Sequence, residues 1–464
     1  MAAGRKRQQA RRSSMWSDKS ALVRSGVVSA ALALSLAACG QLMPGGNTGG
    51  GPVAQAPGDG PGVTDDSVKV VFIGTDLKAV EALTGFVTED PGNLEKQAKA
   101  LETWVNDNGG LGGRKMEAVY RLYDAVTDTQ TTEEQLCKKI TQDDKAFAVV
   151  LTGQYQENAR PCYQQAKTLM FDAALMASDQ EYYEQLYPFL WSPSFPEYGV
   201  FAKAQLDVMD EEGFFSEGTG MGVVAANNAI NKRVYNNVVK PRLEEEGLDF
   251  QVSWIDTTDM TSLFATLPEA ATQFRNKGYS NVMFLGGSRM ASLFDAAGSS
   301  VQFKARYAMS SYDNATYFVN NPGQLSTPGM RSGMAGVGFH PPQEVTDAKL
   351  LEFPNANEKP CIDIYAEAGI KFKTREGARV GLPYCDAIKL LKLGADAMEK
   401  DGDFNAWTWA EGVKKDADSF QTASGFGNGL TKSNAGAGAY RVMRFNDESE
   451  RFEYVGEERS FYDE

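Results

Sequence analysis

The chain reads as an α/β protein of two lobes, each a parallel sheet flanked by helices, and three observations lead there. Short apolar runs alternate with helical patterns along most of the sequence. Runs such as Val68–Ile73 and Ala146–Leu151 are apolar at nearly every position, as strands covered on both faces must be. The chain is also longer, at 464 residues, than one hydrophobic core supports, since cores stop growing near about 250–300 residues.

Taken in order, Val68–Ile73 is a strand stopped at Gly74. Leu94, Ala98, Leu101 and Val105 are spaced by three and four and predict a helix, which Asn108-Gly109-Gly110 ends. A strand over Met116–Tyr123, a polar turn around Asp124–Asp128 and a helix from Thr131 to Thr141 lead into the strand Ala146–Leu151. A helix near Glu157–Lys167 and a short strand at Leu169–Phe171 follow. Helices are then predicted over 199–212, 229–246, 261–277 and 289–297. Strands are predicted near 221–226, 250–254, 281–285 and 305–309, and the chain closes on strands at Tyr440–Phe445 and Phe452–Val455.

Ahead of these elements lie a basic segment (Arg5 to Arg24) and an apolar run of 13 residues, Gly26 to Ala38. These are the marks of a secretory leader, and the run is too short for a bilayer core that needs about 20. Its end, Leu36-Ala37-Ala38-Cys39-Gly40, resembles the lipobox of bacterial lipoproteins, which implies cleavage and acylation at Cys39. The leader carries seven Lys/Arg and one Asp, a net +6, so the remaining chain stands at −21 where the whole stands at −15. So acidic a surface argues against nucleic acid and against polybasic adhesion to lipid. Residues 39–65 are mostly Gly, Pro, Ala, Asn and Thr and predict a disordered tether, spanning roughly 25–30 Å at random-coil dimensions.

Four cysteines remain: Cys137, Cys162, Cys361 and Cys385. An even number in an exported chain favours disulfides. Three pairings are possible, proximity favours Cys137–Cys162 with Cys361–Cys385, and buried thiols are the rival reading.

The segment Asn106-Asp107-Asn108-Gly109-Gly110-Leu111-Gly112-Gly113-Arg114 resembles the "N-x-x-GG-(aliphatic)-x-G-(Arg/Lys)" turn of the type I periplasmic-binding proteins. The leucine/isoleucine/valine-type substrate-binding proteins of ABC importers are the nearest branch. Tyr384-Cys385-Asp386-Ala387-Ile388 resembles that family's "aromatic–Asp–Ala–aliphatic" helix start, with Cys385 inserted. The resemblance implies a lipid-anchored receptor on the outer face of the cytoplasmic membrane that closes two lobes on a small solute and delivers it to an ABC permease. It implies three inter-lobe crossings, near Ser192–Glu197, Val337–Pro342 and Asn434–Ala439. Lobe one would be 67–194 with 340–435, and lobe two 197–338 with 438–464. A monomer is expected, with an amino acid or close analogue as solute.

In open parallel sheets ligands sit beyond the carboxyl ends of the strands. The loops there supply the candidates: Gln154 and Tyr155, Ser178 and Asp179, Asn227 and Asn228, Arg289, and Ser310, Tyr312 and Asp313. Family members hold an amino acid's carboxylate with lobe-one hydroxyls and amides, and its ammonium with a lobe-two acid. By position Gln154 and Tyr155 match the first role and Asp313 the second. Gln154-Tyr155 in place of a serine-rich loop departs from the amino-acid pattern, and Asn227-Asn228 stands where a tyrosine is usual. Amides, urea-like compounds and aromatic acids are the alternatives. Each candidate also has a plainer structural reading, helix capping for the serines above all.

Enzyme chemistry is not expected. The one histidine, His340, leaves no Ser-His-Asp set, Gly286-Gly287-Ser288-Arg289-Met290 lacks the last glycine of a nucleophile elbow, and a zinc site is short of ligands. Asp401-Gly402-Asp403-Phe404-Asn405 starts like a calcium loop but continues with Ala406 where Gly is needed. No metal or cofactor is expected. The third class is a sensor of the same fold that signals to a membrane partner without transport.

Overall fold

The computed structural model describes residues 53–55, 57–153, 156–173, 175–216, 218–287, 290–325, 328–399 and 402–463. Cys39, Gln154, Tyr155 and Arg289 lie outside them.

Twelve strands form two sheets: β1 Ser67–Thr75, β2 Lys115–Tyr123, β3 Ala148–Leu151, β4 Leu169–Asp172, β5 Leu190–Trp191, β6 Gly220–Ala226, β7 Asp249–Ile255, β8 Asn281–Leu285, β9 Arg306–Ser310, β10 Ala335–Gly338, β11 Ala439–Asn446 and β12 Arg451–Ser460. The first sheet, ordered β2-β1-β3-β4-β5, is parallel throughout. The second, β12-β11-β10-β9-β8-β6-β7, is parallel from β7 to β10 and ends in two antiparallel strands. The two-lobed α/β architecture predicted from sequence is the one observed.

Strand position follows residue pattern. In β1, Val68 and Val70 through Ile73 are wholly buried, as befits a central strand with helices on both faces. At the edge, β2 exposes Lys115, Glu117 and Leu122 and buries Met116 and Tyr123. The glycine turn is structural. Gly109, Gly110, Gly112 and Gly113 all have positive φ, and a Cβ on Gly110 would stand 2.2 Å from the Arg114 carbonyl.

Both sequence-adjacent cysteine pairs are bonded. Cys137–Cys162 ties helix Gln130–Lys138 to helix Arg160–Gln165, and Cys361–Cys385 ties Lys359–Glu367 to Gly381–Asp396. All four helices belong to the lobe of the first sheet, whose core takes residues from 68–191 and again from 361–435.

The far end of the segment read as a tether is docked on the folded part. Residues 58–62, poor in apolar side chains, are held through their backbone. The Gly58 amide donates to Asp403 Oδ2 at 2.7 Å and the Gly60 amide to the Phe404 carbonyl at 2.8 Å. The Phe404 amide donates to Asp59 Oδ1 at 2.7 Å, and the Lys69 amide to the Gly62 carbonyl at 2.9 Å. Composition alone hides such docking, because the bonds require no large side chain.

Three passages link the sheets: from β5 to helix Tyr198–Glu211, from β10 to helix Lys359–Glu367, and from Ala435 to β11. The first and third run side by side. The Ser192 amide donates to the Asn434 carbonyl (2.9 Å) and the Gly436 amide to the Ser192 carbonyl (2.8 Å). A Cβ on Gly436 would lie 1.9 Å from the Pro193 carbonyl, so this approach admits glycine alone. Beside them the buried Asp386 carboxylate accepts from Ser194 Oγ (3.0 Å), Thr422 Oγ1 (2.8 Å), the Ala423 amide (2.6 Å) and both the amide and hydroxyl of Ser424.

Replacing Asp386 by Ala strands several buried donors, each costing about 1–3 kcal/mol. We expect a loss of about 3 kcal/mol or more in unfolding free energy, read from urea denaturation; a change under about 1 kcal/mol would remove Asp386 from this role.

Candidate functional site

The carboxyl ends of the central strands in both sheets meet across one cleft, and several contacts cross it. Phe86, on the chain between β1 and β2, is buried in the apolar cluster of the second sheet, its ring 5.8 Å from Tyr317. The Val87 amide donates to Asn321 Oδ1 at 2.7 Å, and Asn320 Nδ2 reaches both Glu376 oxygens at 2.8 and 2.9 Å. Gln156 Nε2 donates to the Thr257 carbonyl at 2.7 Å. Arg233 donates from Nε and Nη2 to the two oxygens of Asp179, both at 2.7 Å.

Between these contacts is a small space of about 20 Å3, part of it open to solvent. Val80, Leu83 and Phe86 line it from one lobe, and Met260, Leu293 and Tyr317 from the other. Among the described residues no charged side chain lines it. After β3, Gly153 has a φ of +72°, and its Cβ, if present, would fall 1.8 Å from Thr75 Oγ1.

The sequence candidates fall in different settings. Ser178 is buried, and its Oγ finds no hydrogen-bond partner among the described residues. Asp179 caps helix Gln180–Leu186 through the Tyr182 amide (3.0 Å) besides holding Arg233. Asn227 is exposed, and Asn228 caps helix Ala229–Val234 through the Asn231 amide (2.8 Å). Ser310 donates its amide and hydroxyl to Asp313 Oδ2, both at 2.7 Å, and both residues are buried. Tyr312 packs edge-on against Tyr198, Phe201 and Phe339, with its hydroxyl directed to the Pro196 carbonyl at 3.4 Å. Thus Tyr312 and Asp313 knit the second lobe next to the first crossing, and Asp179 joins the lobes. Candidate calcium loop residues Asp403 and Asn405 instead bind the segment at Gly58 and cap helix Ala406–Asp416.

Sequence reasoning missed the segment 77–86. Leu77, Val80 and Leu83 have helical spacing, and the structure has a helix at Leu77–Thr84, capped by Asp76. It missed Arg233 as well, whose partner is 54 residues away.

Burial dominates the acid equilibria here. Asp313 and Glu344 are both pushed up to about 7 by burial, against the hydrogen bonds they accept. Glu133 is raised by burial and by the neighbouring Asp128. Burial also pushes His340 down to about 3, so it stays neutral beside Phe195.

No family model matches the sequence, and no curated protein is similar to it at a level that counts as a match. Solved structures do share the fold. A solute binding protein from R. palustris in complex with 4-hydroxybenzoate aligns with a TM-score of 0.57 at 15% identity, over 85% of this chain and 97% of its own. A fatty acid ABC transporter substrate-binding protein from Thermomonospora curvata gives 0.56 and 15%, over 87% and 95%. The branched-chain amino acid binding protein LivJ from Streptococcus pneumoniae, in complex with isoleucine, gives 0.52 and 15%, over 84% and 99%. The chain therefore has the two-lobed type I periplasmic-binding fold.

Two outcomes are expected. Arg233→Ala removes a bidentate, partly buried pair across the cleft, worth about 1–2 kcal/mol, and should increase the radius of gyration of the solute-free protein in solution scattering. An unchanged scattering curve would deny the pair that part. A raised carboxyl pKa means that folding favours the protonated form. The stability from Asp313 and Glu344 is complete below their ordinary range and lost as pH climbs through about 7. Melting temperature should therefore fall from pH 5 to pH 8, and less steeply in Glu344→Gln.

Proposed function

We propose that the chain is an extracytoplasmic solute-binding lipoprotein of an ABC importer, holding a small organic solute between its lobes. The observation that carries this is the cleft itself: a space lined from both lobes, at the strand ends where open parallel sheets bind ligands. Two neighbours in fold support it, being named as solute- or substrate-binding proteins of ABC transporters.

In this reading lobe one is 67–194 with 340–435 and lobe two is 197–338 with 438–464, and the sheet order and the three passages support that division. Cys39 carries the acyl anchor, and an ABC permease is the membrane partner. Among the described residues no helix is long and apolar enough to cross a membrane. Of the candidate contacts, Ser178 gains support from its unpartnered buried hydroxyl, and Gln154 and Tyr155 come just after Gly153 in the sequence. An amino acid or analogue is the solute expected from the sequence resemblance. That expectation leans on an acid at 313 reaching an ammonium, and Asp313 Oδ2 is engaged by Ser310.

A thermal-shift screen against a solute library tests the reading, since a ligand that binds only the folded form raises its melting temperature. One chemical class should give a rise of several degrees at saturation, and silence across the library would reject the proposal. Cys39→Ala should move the protein from the membrane to the soluble fraction of the native host. If the variant stays on the membrane, the anchor lies elsewhere.

A further inference from the structure

The lining of the inter-lobe space says more about the solute than its size does. From the first lobe Val80, Leu83 and Phe86 turn alkyl and aryl surface inward, and from the second Met260, Leu293 and Tyr317 do the same. Thr84, also on the lining, has its hydroxyl hydrogen occupied by the Val80 carbonyl at 2.9 Å. The second-lobe acid placed by sequence to receive an ammonium, Asp313, is 2% exposed and binds the amide and hydroxyl of Ser310. A cationic group brought to such a wall would give up its hydration without a paired charge in return. A hydrocarbon gains from the same wall.

Resting on the receptor reading above, we propose that the solute has a hydrocarbon body, aliphatic or aryl, seated against Val80, Leu83, Phe86, Met260 and Leu293, and that no ammonium is recognised. A polar head, where there is one, projects away from this wall. The two lobes contribute comparable shares of the lining, so the hydrocarbon itself links them when they shut.

Calorimetry on the full mature protein with two matched probe sets tests this. Hexanoate and norleucine share a carbon chain and a carboxylate and differ by the ammonium. Butanoate, hexanoate and octanoate differ only in length. Hexanoate should bind at least tenfold more tightly than norleucine, and affinity should rise about fourfold per methylene along the series. Leu83→Asp alters a side chain that is 45% exposed, so the fold should survive, with an unchanged melting temperature in the absence of solute. Its affinity for octanoate should fall at least tenfold. Norleucine binding as tightly as hexanoate, or affinity independent of chain length, would overturn the proposal. Binding confined to glutamine-like or urea-like solutes would overturn it while leaving the receptor intact. Binding of nothing, in these sets or in the wider library, would overturn the receptor reading and this one together.

Discussion

The chain passages between the two sheets are tied to one helix by the Asp386 carboxylate. It sits inside helix Gly381–Asp396, fully buried, where an unpaired carboxylate would be costly. Five hydrogen bonds offset that cost, and their donors are not local: Ser194 belongs to the first passage between lobes, and Thr422, Ala423 and Ser424 lie on the approach to the third. The helix is itself fixed by the neighbouring Cys385, bonded to Cys361. A rigid helix, a buried charge and two adjacent chain passages thus become one unit. With the close approach of the two passages at Gly436 it fixes how the chain leaves one sheet for the other.

Much of this was legible in the sequence because it depends on patterns that act locally. Continuous apolar runs gave the central strands, since burial on both faces leaves no reason for alternation. The glycine turn was legible because positive φ at four closely spaced positions excludes other residues. The aromatic–acid helix start was visible, but its purpose was not: nothing in Tyr384-Cys385-Asp386 tells that the carboxylate's donors lie 36 to 38 residues onward and 192 back.

Site residues were harder for the same reason. A loop aromatic such as Tyr312 invites a ligand, yet Tyr198, Phe201 and Phe339 arrive from distant chain to enclose it. Ser310 and Asp313 form a reciprocal cap across three residues, a short-range bond that competes with any outward task. Asp179 finds Arg233 only once the lobes are side by side. The helix Leu77–Thr84 has the apolar spacing of an amphipathic helix but is short and buries none of its residues, although it forms one wall of the cleft.

Phe86 has a consequence of its own. Its chain segment is strung between strands of the first sheet, but its ring shares a core with Val224, Phe284 and Leu293 of the second. Any gaping of the molecule must therefore draw an aromatic ring out of oil and into water, at about 1.5–3 kcal/mol. The molecule is in this respect spring-loaded toward shutting.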